Sequence, residues 1–302
     1  MTRCIVIRNP VSRRSLSEAR LQDALDHARA AGWHVEGVET AYEGHGTEIA
    51  RDAVAAGADV IIVHGGDGTI NEVVNGIAGS DVALAVIPGG TANVWANESG
   101  MRHDPAQAVL DIVHGVRRRV DLGRAGDRYF LLMAGIGLDA AIVPRVSARA
   151  KRWLGRVAYI AAGAVTALRT KPWRVELHVN GETRDMPLYW MLIGNTRSYG
   201  SMVQITYRAQ VDDGLLDVAV MHRGGLHLIV DGVRAFFRRH DRSPNVDYTR
   251  VKVLEVMTPG LPVQVDGDLL GETPMRFEVE PLALQVIVPR LLRSPLFSVP
   301  VE

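Results

Sequence analysis

Apolar runs rich in β-branched residues recur along the first part of the chain, separated by stretches with helical spacing. The runs predict four strands, over Cys4–Ile7, Val35–Val38, Val60–Val63 and Ala83–Ile87. The other stretches predict helices over Leu16–Ala31, Thr47–Ala56, Ile70–Ile77 and Pro105–His114. Alternation of this kind favours a largely parallel sheet flanked by helices.

After about Val120 the pattern changes to short β-like runs separated by turns. These runs are Tyr129–Met133, Val175–Val179, Leu188–Ile193, Leu215–Met221, Val251–Met257, Leu261–Val265, Met275–Val279 and Leu284–Val288. Asn180-Gly181 is a typical hairpin turn. We therefore expect an antiparallel sandwich-like domain with helical insertions over Ala148–Arg169 and Leu226–Arg238. The expected division is 1–122 and 123–302, with a C-terminal tail able to return to the first domain.

Length and composition limit the class of protein. With 302 residues, 47% of them hydrophobic, the chain can bury the cores of two domains. The 34 basic and 34 acidic residues balance, so a nucleic-acid partner is not expected. The single cysteine, Cys4, excludes an intramolecular disulfide and is expected to be a small buried hydrophobe.

No signal-peptide pattern precedes the first strand, which favours a cytoplasmic protein. The longest apolar stretch, Val157–Leu168, is too short to span about 30 Å of hydrocarbon. We therefore expect a soluble protein, or one held peripherally at the inner face of the membrane.

A glycine-rich turn follows the third predicted strand, in His64-Gly65-Gly66-Asp67-Gly68-Thr69. A strand that passes through such a turn into a helix leaves N–H groups that bind anions. Asp67 would repel a bare phosphate, so it implies a bridging metal or a hydroxyl partner. The simplest interpretation is a nucleoside triphosphate carried with Mg²⁺. Alternatively, Thr69 and Glu72 have the spacing of a capping box, which needs no ligand.

A second turn of the same kind, Pro88-Gly89-Gly90-Thr91-Ala92-Asn93, follows the fourth strand. Two neighbouring parallel strands would place both turns at one edge of the sheet, where α/β proteins bind ligands. The two turns together indicate a polyanion shared between them.

At this point the chain resembles the bacterial diacylglycerol-kinase-type lipid kinases, which are related to NAD kinase and to the eukaryotic diacylglycerol, sphingosine and ceramide kinases. The matching segments are GGDGTINEVVNGI at Gly65–Ile77, PGGTANVWA at Pro88–Ala96, Asn9-Pro10, Thr40 with Gly44-His45, VDLG at Val120–Gly123, AGIGLDA at Ala134–Ala140, Gly194-Asn195, DDGLLDV at Asp212–Val218 and VDGDLLGETP at Val265–Pro274. The ordered set covers nearly the whole chain.

The resemblance implies a doubly wound α/β nucleotide-binding domain followed by an antiparallel β-sandwich domain, with ATP and lipid meeting between them. By motif match the expected ATP contacts are Asn9, Thr40, Gly66, Asp67, Gly68, Thr69, Ile70, Asn71, Glu72 and Thr91, with Asn93 shaping the same site. Sequence does not decide whether Asp67 binds the metal or orients the acceptor hydroxyl.

The resemblance also implies a Mg²⁺ site made by the Asp213 carboxylate and the backbone carbonyls of Gln210 and Leu215. Oxygen ligands suit such a hard cation. Asp121 matches an aspartate that the family links to the metal through water. Without the resemblance, Asp212-Asp213-Gly214 is an ordinary β-turn before a strand.

In the family the base is the Glu of an Asp-Gly-Glu motif, and here the corresponding residue is Asp268, one methylene shorter. A carboxylate can still accept the proton of an alcohol. Glu272 is the alternative base if the loop folds back. A hairpin turn with solvated acids is the third interpretation.

The expected function is an ATP- and Mg²⁺-dependent lipid kinase that phosphorylates diacylglycerol or a related lipid. The alternatives are a soluble NAD kinase-like enzyme and a nucleotide- or lipid-binding regulator. The cations between Arg145 and Arg156, with Trp153 among them, fit either a helix on an anionic membrane surface or a solvated basic helix. An exposed strand edge in the second domain could pair two subunits.

The remaining motifs give weaker evidence about function. Gly135-Ile136-Gly137-Leu138-Asp139-Ala140 nearly fits a dinucleotide fingerprint but lacks the later acidic residue, so we expect a crowded turn near the cleft. Neither a Walker-type phosphate loop nor a Cys/His zinc cluster is present in the sequence. His64 is expected to be a packing residue.

Overall fold

The computed structural model describes residues 1–137, 171–200, 203–224, 227, 230, 243, 245–290 and 294–299. The predicted helix over Ala148–Arg169, most of the one over Leu226–Arg238, and the basic stretch Arg145–Arg156 lie outside these residues. Among the described residues, no helix combines the length and the apolar character needed to cross a bilayer.

The four β-branched runs of the first domain form parallel strands. They are β1 (Arg3–Arg8), β2 (His34–Glu39), β3 (Val60–Gly65) and β4 (Ala83–Pro88). Their spatial order is β2-β1-β3-β4, and β3 and β4 are buried at every position. A strand covered on both faces needs a continuous apolar run, which is the pattern of these two segments.

Helices connect and cover these strands. They are α1 (Glu18–Ala30), α2 (His45–Ala55), α3 (Asp67–Ile77), α4 (Val94–Glu98) and α5 (Pro105–Val113). Ser17 caps α1 by accepting from the N–H of Arg20, and Asp104 caps α5 by accepting from the N–H of Gln107. α1 packs with α5 and α2 with α3, as expected when right-handed crossovers place them on opposite faces of the sheet.

The strand order creates a switch point between β1 and β3. After β1 the chain crosses to β2 on one side, whereas after β3 it crosses to β4 on the other. The crevice beyond the carboxyl ends of these two strands is the usual ligand site of open α/β sheets. Asn9 and Gly66 are the first residues after β1 and β3.

The second domain contributes an antiparallel sheet in the order β14-β13-β10-β7-β16-β17. Its strands are β7 (Met133–Gly137), β10 (Trp190–Gly194), β13 (Leu216–Met221), β14 (Val246–Val251), β16 (Pro262–Val265) and β17 (Asp268–Glu272). The sheet packs through apolar side chains such as Ile136, Ile193 and Val263 against Phe130 and Phe277 of the other sheet. A short ribbon joins β11 (Ser198–Tyr199) and β12 (Val203–Gln204).

The remaining strands extend the first sheet into the second domain. They are β5 (Val116–Ala125), β6 (Arg128–Phe130), β8 (Trp173–Val179), β9 (Glu182–Leu188), β15 (Val253–Val256) and β18 (Met275–Val288). β18 is parallel to β4 at one end, antiparallel to β15 at the other, and pairs with β5 through a register shift between Glu280 and Leu284. The predicted fold class, an α/β domain followed by a β-sandwich, is confirmed.

Several element predictions need correction. Met275–Val279 and Leu284–Val288 belong to one strand, because β18 continues through the register shift. The run Val251–Met257 divides into the end of β14 and β15. In the predicted crowded turn Gly135–Ala140, Gly135–Gly137 belong to β7, which pairs on both sides with β10 and β16, and the rest lies outside the described residues. The expected division between residues 122 and 123, which both lie in β5, stays a prediction.

Candidate active site

The two glycine turns touch each other. A Cβ on Gly90 would lie 2.6 Å from the Cα of Gly66, closer than side-chain atoms approach, and the N–H of Gly89 donates to the carbonyl of Gly65 at 2.9 Å. α3 begins after Gly66 with no side-chain cap. Its first N–H groups therefore stand at the edge of the joined turns, where the helix dipole favours an anion.

Asp67 joins the two turns. Its Oδ1 accepts a hydrogen bond of 3.3 Å from the N–H of Trp95, at the start of α4. Burial is the largest influence on the carboxyl and raises its pKa above the usual value, while the N–H groups of Val94, Trp95 and Asn93 act in the opposite direction. The start of α4, just after the second turn, therefore donates a backbone hydrogen bond to this aspartate, a partner that the sequence did not indicate.

Asn93 shapes the second turn. It is buried, adopts a left-handed conformation with φ of 48°, and exchanges two hydrogen bonds with Gly90. Thr91 lies in the same turn and is exposed. The side chain of Asn93 therefore fixes the backbone that would face a phosphate, and Thr91 is accessible to one.

The loop after β1 closes over the first turn. The Asn9 amide donates to Thr69 Oγ1 at 2.9 Å across the switch point. Leu16 N–H donates to His64 Nε2 at 3.0 Å, so the other ring nitrogen, Nδ1, is the donor to the Ile87 carbonyl at 3.2 Å. His64 is fully buried. Both its nitrogens are used in holding the loop and the two strands together.

Three further members of the expected ATP set make hydrogen bonds within the protein, and their contact with ATP stays a prediction. The Glu72 carboxylate accepts from the N–H groups of Gly44 and Gly46, at 2.9 Å each, and so caps α2. The capping box with Thr69 is therefore not formed. Ile70 is buried and donates its N–H to Gly66, and Thr40 follows β2 with its N–H on the Arg8 carbonyl.

The second domain brings a carboxylate to the first turn. A Cβ on Gly68 would lie 4.0 Å from Oδ2 of Asp268. Asp268 is exposed and begins β17. The absence of a side chain at Gly68 thus leaves the space between this carboxylate and the N-terminus of α3 open.

Glu272 lies away from this space. The loop does not fold back, because β17 runs extended from Asp268 to Glu272. Four residues of strand separate the two carboxylates by roughly 13 Å. Of the two candidate bases, Asp268 is therefore the one that lies next to the glycine turns.

The turn expected to bind Mg²⁺ is already paired with the positively charged side chain of Arg250. Asp213 Oδ2 forms an ion pair with Arg250, and its Oδ1 accepts from the N–H of Leu215 at 3.1 Å. Arg250 Nε is also 3.6 Å from Asp217 Oδ2. No group of three or more His, Cys, Asp or Glu side chains suited to a metal occurs in the described part of the chain. The Asp213 carboxylate is thus already paired with a cation, and the Mg²⁺ site that it would form with the carbonyls of Gln210 and Leu215 stays a prediction.

The carboxylate of Asp121 also binds this turn. Its two carboxylate oxygens accept from the N–H groups of Gly214 and Leu282, each at 2.7 Å. Burial raises the pKa of this carboxyl above its usual value. Asp121 therefore ties the turn to β18.

Sequence reasoning missed two residues of this region. Asp266 precedes Asp268 in the motif, and its carboxylate accepts from the side chain of Asn71 at 2.8 Å. Arg128 in turn donates to Asn71 Oδ1. The Asp-Gly pair at 266–267 was a turn signal that could have drawn attention to Asp266, whereas nothing in the sequence marks Arg128.

A parallel sheet with joined glycine turns after β3 and β4, facing a carboxylate from a β-sandwich, is an arrangement suited to a two-domain phosphotransferase. The chain belongs to the diacylglycerol kinase family. Residues 3–125 match the diacylglycerol kinase catalytic domain. Residues 133–288 match the YegS C-terminal NAD kinase β-sandwich-like domain. The chain is thus a kinase of the lipid kinase group.

Relatives align along most of their length. The diacylglycerol kinase of Bacillus subtilis (strain 168) is 30% identical over 295 residues, which are 96% of this chain and 97% of the relative. The diacylglycerol kinase of Mycobacterium tuberculosis (strain H37Rv) is 35% identical over 249 residues, or 79% of each chain. A crystal structure of a diacylglycerol kinase from Bacillus anthracis (strain Sterne) superposes with a TM-score of 0.79 at 24% identity, covering 95% of this chain and 96% of that one. The last comparison establishes the shared fold.

Proposed function

We propose that the protein is an ATP- and Mg²⁺-dependent lipid kinase that transfers the γ-phosphate of ATP to a hydroxyl of diacylglycerol or a related lipid. The observation that carries this proposal is the position of the Asp268 carboxylate, 4.0 Å from where a Cβ of Gly68 would lie. A base on one side of the N-terminus of α3 and a phosphate on the other would enclose an acceptor hydroxyl. The curated names of the relatives support a lipid as the acceptor.

The residues divide the work of phosphoryl transfer. The N–H groups of the joined turns would hold the triphosphate, while Asn9, Thr69 and Asn93 keep those turns in shape. Mg²⁺, when bound with the nucleotide, supplies charge neutralisation on the phosphates. Asp67 would contribute by holding the turns at a fixed separation.

Asp268 would act as the base. It accepts the proton of the lipid hydroxyl as the oxygen attacks the γ-phosphorus, and the bond from that phosphorus to the bridging oxygen of ADP breaks. The products are then the phosphorylated lipid, ADP and a proton that Asp268 returns to solvent. A shorter side chain than Glu requires the turn to carry Asp268 closer to the nucleotide.

The test supplies γ-labelled ATP and Mg²⁺ with diacylglycerol, related lipids in mixed micelles, or NAD. Label in the lipid phase is the expected result, and omission of Mg²⁺ or addition of excess EDTA should abolish it. Label on NAD would instead favour a soluble kinase. Nucleotide binding without transfer to any acceptor would favour a regulator.

Two matched variants test the base. Asp268→Asn should lower kcat by about 10²–10⁴-fold, because it removes the proton acceptor. The binding of a non-hydrolysable ATP analogue should remain. Glu272→Gln changes an exposed carboxylate on the same strand and should keep wild-type turnover. Full turnover in Asp268→Asn would remove this residue from the proposal.

A further inference from the structure

One helix contacts both ends of the turn that carries Asp268. Gly68 and Asn71 are three residues apart near the start of α3, so they lie on the same face of the helix. Gly68 is the residue next to the Asp268 carboxylate, and Asn71 binds Asp266, two residues before it. The placement of Asp268 over the N-terminus of α3 thus depends on the bond between Asn71 and Asp266.

Asp266 is held by four neutral donors. Its Oδ1 accepts from the N–H groups of Leu132 and Met133, and its Oδ2 accepts from the N–H of Leu131 and from the Asn71 amide, all between 2.8 and 3.0 Å. Its backbone is left-handed, with φ of 49°, as is that of Gly267 with φ of 97°. These bonds help to hold Asp266 in a backbone conformation that residues with side chains rarely adopt.

Arg128 and the backbone carbonyl of Tyr129 together fix which way the Asn71 amide faces, since Asn71 Nδ2 donates to that carbonyl at 3.0 Å. The Nε and Nη2 atoms of Arg128 donate to Asn71 Oδ1 at 3.1 and 2.7 Å. Because a guanidinium only donates, Oδ1 must be the atom that faces it and Nδ2 the atom that faces Asp266. Asn75 Nδ2, 3.2 Å from the same oxygen, strengthens this orientation. A reversed amide would direct its oxygen at the Asp266 carboxylate.

We propose that Arg128 is a positioning residue, which sets the place of Asp268 through Asn71 and Asp266. This inference rests on the proposed function, since its effect on turnover requires Asp268 to be the base. Arg128 itself need touch neither nucleotide nor lipid. Its loss should leave the phosphate turns intact and displace the acid opposite them.

The test compares Arg128→Met with Arg124→Met. Arg124 lies on the neighbouring strand β5 and is paired with Glu278 instead of the site. Arg128→Met should lower kcat by about 10–10²-fold, the effect of a base displaced by about 1 Å. The KM for ATP should change by less than about threefold, because the nucleotide turns are untouched. Arg128→Lys, which keeps the charge and one donor, should recover part of kcat, and Arg124→Met should match wild type.

Hydrogen–deuterium exchange separates this inference from the proposed function. Arg128→Met should speed exchange in the peptide containing residues 264–268, and Arg124→Met should not. Unchanged exchange in Arg128→Met overturns the inference even if no lipid is phosphorylated. If the enzyme is active, faster exchange in Arg128→Met together with a wild-type kcat also overturns the inference. Failure of the wild-type protein to phosphorylate lipid counts against the proposed function alone.

Discussion

At position 90 the fold leaves no room for a side chain. A Cβ there would lie 2.6 Å from the Cα of Gly66, which is backbone and cannot rotate away. Gly90→Ala should therefore push the two turns apart and cost about 1–3 kcal/mol of unfolding free energy. Binding of a non-hydrolysable ATP analogue, measured by calorimetry, should weaken in the same variant.

Gly66→Ala is the matched control for stability. Its Cβ would lie 3.4 Å from the Cα of Gly90, an ordinary contact, and the φ of Gly66 is −94°, which alanine adopts freely. Denaturant unfolding should place this variant near wild type. If Gly90→Ala were as stable as Gly66→Ala, the close contact of the two turns would be contradicted.

His64 makes the stability of the same region depend on pH. Burial is the main reason that the pKa of His64 lies below its usual 6.5, with the Ile87 carbonyl opposing this and the charge of Arg8 adding to it. Its stabilising contribution is thus complete above pH 6.5, since both the folded and unfolded forms are then neutral. As pH falls below that value the unfolded chain binds the proton first, and folding loses free energy.

We expect the unfolding free energy of wild type to fall more steeply between pH 7 and 5 than that of His64→Asn, which cannot be protonated. Burial raises the pKa of Asp217 and Asp266 to about 6, which acts in the opposite sense, but both variants share those groups. His34→Asn, which removes an exposed imidazole, should keep the wild-type slope. Equal slopes for wild type and His64→Asn would contradict the expectation.

At the scale of secondary-structure elements, the turn at 210–215 is paired with the positively charged side chain of Arg250. Arg250 pairs with Asp213 and lies 3.6 Å from Asp217 Oδ2. Removing it should leave the Asp213 carboxylate without its ion-pair partner and cost about 1–3 kcal/mol, given that the Arg250 side chain is 36% exposed. Asp217 keeps the Tyr248 hydroxyl and the charges of Arg208 and Arg197. In nucleotide-free protein, Mg²⁺ should therefore raise the Tm of Arg250→Met and leave that of wild type unchanged.

Arg276→Met provides the control, because Arg276 pairs with Glu255 and Glu278 on an exposed face. It should show no response to Mg²⁺. A wild-type Tm that rises with Mg²⁺ in the absence of nucleotide would mean that the cation enters this turn despite Arg250.

The elements that sequence predicted well are those specified locally. Val60–Gly65 is an apolar β-branched run ending at glycine, and both the strand and the turn follow from those residues alone. The partners of Asn71, Asp67 and Glu72 could not be predicted in this way, because they come from distant segments. Asn71 and Asp266, for example, are 195 residues apart.

The break in β18 illustrates the same limit. Glu280-Pro281-Leu282 interrupts the apolar pattern, so the sequence predicts two strands. The structure keeps one strand because β5 pairs with both of its halves, and Asp121 receives the N–H of Leu282 at the interruption. Pairing with another strand, rather than local propensity, decides the outcome there.

At the scale of the whole molecule, β18 makes the two domains one folding unit. Its C-terminal half pairs with β4 of the nucleotide domain, and its N-terminal half pairs with β15 of the sandwich. The segment beyond it also contacts the first domain: Ser294 Oγ donates to the Glu98 carbonyl at 3.0 Å, and Arg118 Nη2 donates to the Val299 carbonyl at 3.1 Å. Neither domain can unfold without exposing strands of the other.

We therefore expect scanning calorimetry to record a single unfolding transition. Leu284→Ala and Phe277→Ala remove fully buried side chains at the two ends of β18. Each should destabilise the protein by about 2–5 kcal/mol and lower the same Tm. Met257→Ala, which removes a side chain that is 42% exposed, should have little effect. Two transitions, with Leu284→Ala shifting one and Phe277→Ala the other, would mean that β18 does not couple the domains. A non-hydrolysable ATP analogue bound at the turns should raise the Tm of this single transition, because ligand binding stabilises everything that unfolds together, the sandwich included.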